Sequence, residues 1–291
     1  MISVIIPVYN SDSTLERSVL SIVKEPLVAE IIIVDDGSTD NSNFIANSFA
    51  NKYPFIKIFH HGKFKNKGAT ASRNLGLVNA ISDWIQFLDA DDELLPGKIE
   101  RQFSKVNSEM SFIVGNAIDC FEDGHEHFRK FISDPWAGLI AGKLGITSAN
   151  LWNKEALLEI GGWNESLSSS QEYELMFRLL KKYEKIGFCD LPLTRIYKRK
   201  NSISNNPLIQ SQRVNNWLNL RKDIKLHLKE INKFNIQRNY IYSGYLLDFC
   251  QRNNCLDSFD GDLFLGKLFQ VEKKLKQKVH TLGKNLSGST N

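Results

Sequence analysis

Short apolar runs alternate with amphipathic stretches through the first half of the chain. Residues 2–8, 31–34, 56–59 and 84–88 are compact runs rich in Ile, Val and Phe, and such runs read as buried strands. Between them, residues 13–24 set Leu15, Val19, Ile22 and Val23 on one helical face, with Ser11, Asp12 or Ser13 available to cap its start. Residues 40–53 and 68–81 read as further helices, the first led by Asp40 or Ser42 and the second by Gly68. This alternation predicts a doubly wound, largely parallel sheet. Residues 96–106 add a helix. The apolar runs 111–120 and 127–131 flank Asp123-Gly124, a dipeptide that suits a hairpin turn.

The pattern changes from about Asn150. Residues 154–160 form a short helix stopped by Gly161-Gly162, residues 171–183 a longer one with Leu175, Leu179 and Leu180 inward, and residues 187–197 an extended segment. Beyond Pro207 the spacing is helical. Trp217, Leu220, Ile224, Leu228 and Ile231 recur at heptad-like intervals, as do Phe264, Leu268, Val271, Leu275 and Val279. No internal repeat is present, and residues 287–291 read as a frayed polar tail.

Composition bounds this picture without changing it. A chain of 291 residues with 42% hydrophobic residues suits one large domain, or one domain with an appendage, and can bury a full core. The run after Met1 has no basic leader, and no apolar stretch approaches the roughly 18 residues of a membrane span. Cys120, Cys189, Cys250 and Cys255 are scattered with no C-x-x-C pair, so reduced thiols and a cytoplasmic location are expected. A net charge of +4 is too small to argue for nucleic acid, yet lysines gather late, at Lys267, Lys273, Lys274, Lys276 and Lys278. This last helix is expected to pack its apolar stripe on the domain and leave the lysines in water; the alternative is peripheral contact with the inner face of a membrane.

Candidate chemistry sits where apolar strands end in acids. The run I-I-I-V leads into Asp35 and Asp36, and W-I-Q-F-L leads into Asp89, Asp91 and Asp92. At the carboxyl edge of an open α/β sheet, where ligands bind, such acids suit a nucleotide and a divalent cation. Crowded carboxylates repel unless neutralised, and oxygen-only ligands favour Mg2+ or Mn2+ held with substrate phosphates. A solvated turn and helix cap is the competing reading of both acidic clusters. Residues 66–76, N-K-G-A-T-A-S-R-N-L-G, open a helix whose first N–H groups favour anions, with Arg73 in reach of a diphosphate. Neither a P-loop nor a G-x-G-x-x-G sequence is present. His125 and His127 flank the hairpin turn and read as a wet loop rather than a metal site.

Taken in order, V-I-I-P-V-Y-N at residues 4–10, V-D-D-G-S-T-D at 34–40, K-G-A-T-A-S-R-N-L-G, L-D-A-D-D, and G-G-W-N-E-S-L-S-S-S-Q-E-Y-E-L-M-F-R-L-L at 161–180 resemble the family 2 inverting glycosyltransferases of GT-A fold. The resemblance implies a GT-A type mixed, mainly parallel sheet over residues 1–204, with a helical C-terminal extension over 205–291. It implies that Pro7, Val8, Tyr9 and Asp36 hold the nucleotide, with Asp36 facing the base and Arg73 nearby. By the same resemblance Asp89 would face the sugar nucleotide, Asp91 would ligate Mn2+ or Mg2+, and Glu172 would be the catalytic base. Gln171 and Trp163 fall on the acceptor side, with the Trp163 ring as a sugar-stacking surface.

Two departures from the family pattern stand out. Glu172 replaces the usual Asp, one methylene shorter, so the acceptor or the helix must sit differently. The stretch Y-K-R-K-N-S-I-S, residues 197–204, offers Lys198, Arg199 and Lys200 where many relatives carry a metal-assisting His, so Lys198, Arg199 or Lys200 is expected on the donor phosphates, with a solvated basic loop as the competing reading. The function implied is transfer of a sugar, most naturally from a UDP donor with dTDP and GDP left open, to a glycan or lipid-linked acceptor for a surface polysaccharide. Rival readings are a non-catalytic sugar-binding or assembly subunit and a sugar nucleotidyltransferase. The latter loses weight without a Gly-rich basic loop after the first strand.

Overall fold

The computed structural model describes residues 1–62, 65–198 and 210–287, with side chains as far as Val279. Arg199 and Lys200 lie outside the described residues. Four parallel strands open the chain: β1 (Ile2–Val8), β2 (Val28–Asp35), β3 (Ile56–His60) and β4 (Trp84–Phe87), in the order β3-β2-β1-β4. Helices α1 (Leu15–Leu20), α2 (Ser42–Lys52) and α3 (Ala69–Asn79) make the crossovers. Side chains of β1 and β2 alternate between two cores. Ile5, Ile32 and Val34 enter one, while Val4, Ile6, Ile31 and Ile33 enter the other, all fully buried. Burial on both faces explains why these strands read as unbroken apolar runs. Gly76 lets α3 lie against β1, since a Cβ there would stand 2.4 Å from Ile5 Cγ2.

The second half turns the sheet mixed. β5 (Glu93–Leu94), α4 (Lys98–Phe103), β6 (Phe112–Phe121), β7 (Glu126–Arg129), α5 (Pro135–Ala141), β8 (Leu151–Asn153), α6 (Lys154–Glu159), α7 (Gln171–Lys182) and β9 (Gly187–Lys198) follow. β8 runs antiparallel to both β4 and β6, β9 runs parallel to β6, and β5 pairs antiparallel with β9. β6 and β7 form the expected hairpin, its turn at Gly124 in the left-handed region (φ 82°). α5 and β8 are not apparent in the periodicity. α5 nonetheless carries a standard start, Asp134 accepting from Ala137 N at 2.8 Å with Pro135 in the first turn.

Among the described residues after β9 there are three α-helices, α8 (Gln210–Glu230), α9 (Ile236–Arg252) and α10 (Leu263–Ser287). Leu220, Ile224 and Leu228 of α8, with Tyr242, Leu246 and Cys250 of α9, enter the same hydrophobic cluster as Trp136, Leu139 and Phe177. α10 departs from expectation. It packs on α9 through Gly266 and Phe269, while Phe264, Leu268, Val271, Leu275 and Val279 face outward, 74%, 47%, 54%, 57% and 69% exposed. An amphipathic pattern specifies a face, and here the residues that meet α9 lie on the other side of the helix.

Candidate active site

The edge formed by the ends of β1, β2 and β4 is assembled from side chains that bond to neighbouring loops. Asn10 follows β1 in the left-handed region (φ 48°), which asparagine tolerates. It donates from its backbone N to Ser38 Oγ at 3.1 Å and accepts from Thr39 N at 2.8 Å, tying the first loop to the second. Asp40 accepts from Asp12 N at 3.0 Å and Ser42 N at 2.9 Å. Burial works against its charge, but the bonds from Ser42 and Asp12 prevail and hold the carboxyl below its ordinary range.

Asp36 lies at the end of β2, 3% exposed, with its N–H bonded to Val8 O at 2.8 Å. Its two carboxylate oxygens accept from Lys67 N at 2.7 Å and Gly68 N at 2.8 Å. Gly68 has φ 90°, a conformation that favours glycine, and leads directly into α3. Asp36 therefore anchors the entry to α3. His61, also buried, lies 3.6 Å from Asp36 and 3.1 Å from Ser72 Oγ. Val8 is buried too, and Tyr9 stands 47% exposed at the strand end.

Arg73, on the next turn of α3, joins this wall to the second acidic group. Its Nη2 lies 2.6 Å from Asp89 Oδ1, and its guanidinium covers the Trp163 ring at 4.7 Å. The backbone after β4 closes a turn, Asp92 N to Asp89 O at 3.0 Å. Ser148 Oγ donates to Asp92 Oδ2 at 2.6 Å and accepts from Asp89 N at 3.1 Å. Arg17 donates to Asp91 O at 2.7 Å while stacking on Tyr197 at 3.7 Å. Asp92 is 4% exposed, and burial, then Asp89 and Asp91, push its carboxyl well above the ordinary range. Asp89 and Asp91 are partly exposed.

Glu172 projects from the first turn of α7, which starts after Ser170 in the left-handed region (φ 59°). Burial raises its carboxyl above the ordinary range; Arg73 opposes this, Asp89 adds to it, and Arg129 opposes it. Glu172, Arg73, Asp89 and Arg129 thus share one electrostatic environment. The rest of the turn is structural. Tyr173 OH donates to Gly145 O at 3.0 Å, and Gln171 Nε2 to Leu167 O at 2.5 Å. Glu174 holds Arg178 at 2.7 Å, and Arg178 also bonds Ile160 O and Gly162 O beyond α6.

Among the described residues, no three carboxylate, histidine or cysteine side chains converge on a metal position. A cation here would be held by one or two carboxylates together with substrate phosphates, the mode that suits Mg2+ or Mn2+. Burial lifts Asp92 first and repulsion from Asp89 and Asp91 adds to it, and that repulsion fits such a demand, with Asp91 and Asp89 as the partly exposed donors.

One expectation fails. Trp163 is 2% exposed, wedged against Phe87 at 5.3 Å and Trp152 at 6.2 Å with Arg73 over its ring, so it has no free face for a sugar. It supports Arg73 from behind instead. Lys198 pairs with Asp119 at 3.2 Å, beside the Arg129–Asp119 pair at 3.1 Å. Residues that periodicity did not reveal include Arg17, Ser148, Arg129 and Arg221. Arg221, from α8, is buried over Tyr173 at 5.5 Å and is itself pushed down to about 10 by burial.

A model of glycosyl transferase family 2 matches residues 3–160, more than half of the chain. The chain is 35% identical over 135 residues to the uncharacterized glycosyltransferase YibD of Escherichia coli, covering 46% of this chain and 38% of that protein. It is 44% identical over 99 residues to the minor teichoic acid biosynthesis protein GgaA of Bacillus subtilis, covering 32% of this chain and 22% of that protein. The matches therefore span well under half the length of these relatives. Among solved structures, residues 1–349 of TarS from S. aureus in complex with UDP-GlcNAc superpose with a TM-score of 0.62 at 18% identity, over 88% of this chain and 83% of that one, which shows the GT-A fold. The match takes in the acidic strand ends and the entry to α3, and it places the chain in glycosyl transferase family 2.

Proposed function

We propose that the protein is an inverting glycosyltransferase that moves a sugar from a UDP donor to a hydroxyl of a glycan or lipid-linked acceptor in the synthesis of a surface polysaccharide. The observation that carries the reading is the meeting of Glu172, Arg73 and Asp89 in one electrostatic environment, on three different elements. Glu172 accepts the proton of the acceptor hydroxyl. The freed oxygen attacks the anomeric carbon on the face opposite the diphosphate, the bond to the diphosphate oxygen breaks, and configuration inverts. A carboxyl held above its ordinary range is a stronger base for this proton. Arg73 faces the charge that builds on the leaving diphosphate, and Tyr9 offers an exposed ring at the end of β1 for the nucleotide base. Asp91, with Asp89, would hold Mg2+ or Mn2+, which when bound neutralises the leaving diphosphate. Arg199 and Lys200 add cations toward the same phosphates. The UDP-GlcNAc complex of TarS and the teichoic acid role of GgaA support the nucleotide and the acceptor class.

The test is release of nucleoside diphosphate from a panel of UDP-, GDP- and dTDP-sugars, with the anomeric configuration of the product read by NMR. The expected outcome is UDP release and an inverted product. Glu172→Gln should lower kcat by roughly a thousandfold with donor affinity unchanged. Pyrophosphate release would point to nucleotidyl transfer, retained configuration would refute the single displacement, and unaltered turnover in the variant would remove Glu172 from the base role.

A further inference from the structure

We infer that α10 is an interfacial anchor that lies flat on a bilayer containing anionic lipid. Its inner face is fully engaged. Gly266 lets it approach α9 closely, since a Cβ there would stand 3.1 Å from Ser243 O and from Leu247. Phe269 packs on Tyr240 at 5.5 Å and Tyr245 at 5.1 Å, and Lys273 pairs with Asp248 at 2.9 Å. The opposite face is apolar and bare. Phe264, Leu268, Val271, Leu275 and Val279 form a continuous stripe about 22 Å long at 1.5 Å per residue. At 3.6 residues per turn, Lys267, Lys274 and Lys278 all fall along one edge of that stripe.

Charge decides the occupant. Between Leu263 and Val279 there are five lysines and one acid, Glu272, which is already bonded to Tyr240 and Lys276. Two copies of α10 meeting antiparallel along the stripe would bring these lysine edges together and repel, and in either orientation each helix brings five lysines against one acid. An anionic headgroup layer attracts them, while the acyl boundary beneath takes the apolar side chains. No helix among the described residues is long and apolar enough to cross a membrane, so α10 would lie in the interface. The inference does not rest on the reaction, because it is read by binding alone.

The experiment is flotation of the full chain with vesicles of phosphatidylcholine, and of phosphatidylcholine mixed with phosphatidylglycerol. Binding should appear with the anionic vesicles and weaken as salt rises. A Leu268→Glu/Leu275→Glu variant and a Lys267→Glu/Lys274→Glu/Lys278→Glu variant should each reduce partitioning by roughly tenfold or more. All five positions lie on the outward face, and an unchanged near-UV circular dichroism spectrum verifies that each variant folds. No flotation, or flotation indifferent to both variants, overturns the inference. So does a dimer in sedimentation velocity, without lipid, that the leucine variant splits into monomers, because a second copy would then cover the stripe.

Discussion

The acids after β2 and the acids after β4 and on α7 serve opposite ends. Asp36 and Asp40 spend their oxygens on backbone N–H groups of Lys67, Gly68, Asp12 and Ser42, and so hold loops in place. Asp92 and Glu172 are raised by burial and by each other's neighbours, and their ionisation works against folding. Acids that look alike in sequence thus divide into carboxyls that hold loops and carboxyls whose charge the fold disfavours. The difference lies in how many N–H donors the surrounding backbone presents to each carboxyl.

Substitutions can sharpen or break this division. Asp36→Ala leaves two N–H groups unpaired at the entry to α3 and should cost about 3 kcal/mol in urea unfolding. A loss within error would mean Asp36 is not scaffold. Asp40→Ala removes a helix-start partner and should cost about 1 kcal/mol by the same measurement. Because the Asp40 carboxyl lies below its ordinary range when folded, its contribution is present at neutral pH and fades as pH falls through that lowered value.

The raised carboxyls should behave in the reverse sense. Folded Glu172 binds its proton more tightly than the unfolded chain does, so stability falls as pH rises from the ordinary carboxylate value through the raised one. Glu172→Gln should therefore melt a few degrees higher than the native protein at neutral pH, with the gain vanishing in acid, even as activity is lost. Asp92→Asn should shift melting the same way, since it keeps a side-chain oxygen for Ser148 and removes a buried charge. A lower melting temperature in both would break the comparison. The smallest shift expected is in the pH profile, apart from the loss of rate that removing Arg73 from the diphosphate brings. Arg73→Met removes a cation that holds Glu172 down, so the acid limb of kcat/KM against pH should move upward; a limb that moves down or stays would separate the two residues.

The legible part of the molecule was the part whose elements carry a local apolar pattern, even where their strand partners lie far off in sequence. Strands β1 to β4 and their helices follow from apolar period alone, and the acidic strand ends mark the site. β8 was not legible because three residues carry no period, although its pairing with β4 and β6 joins the two halves of the sheet. Ser148 and Arg17 organise the Asp89–Asp92 turn from more than fifty residues away, a distance at which no spacing rule applies. Trp163 misled for a related reason. An aromatic beside polar residues looks like a sugar platform until Phe87 and Trp152 are seen to enclose it. The stripe of α10 was plain in the sequence, but its partner was not, because amphipathicity says nothing of which surface lies opposite.

The sharing of one core between α8, α9 and the sheet bears on how the protein can be handled. His227 of α8 meets Trp136 at 5.4 Å and Phe177 at 5.9 Å, and Arg221 sits against the tyrosine next to Glu172. A recombinant fragment trimmed after β9 would lay these aromatics open to water and invite aggregation, and would release the first turn of α7 from its backing.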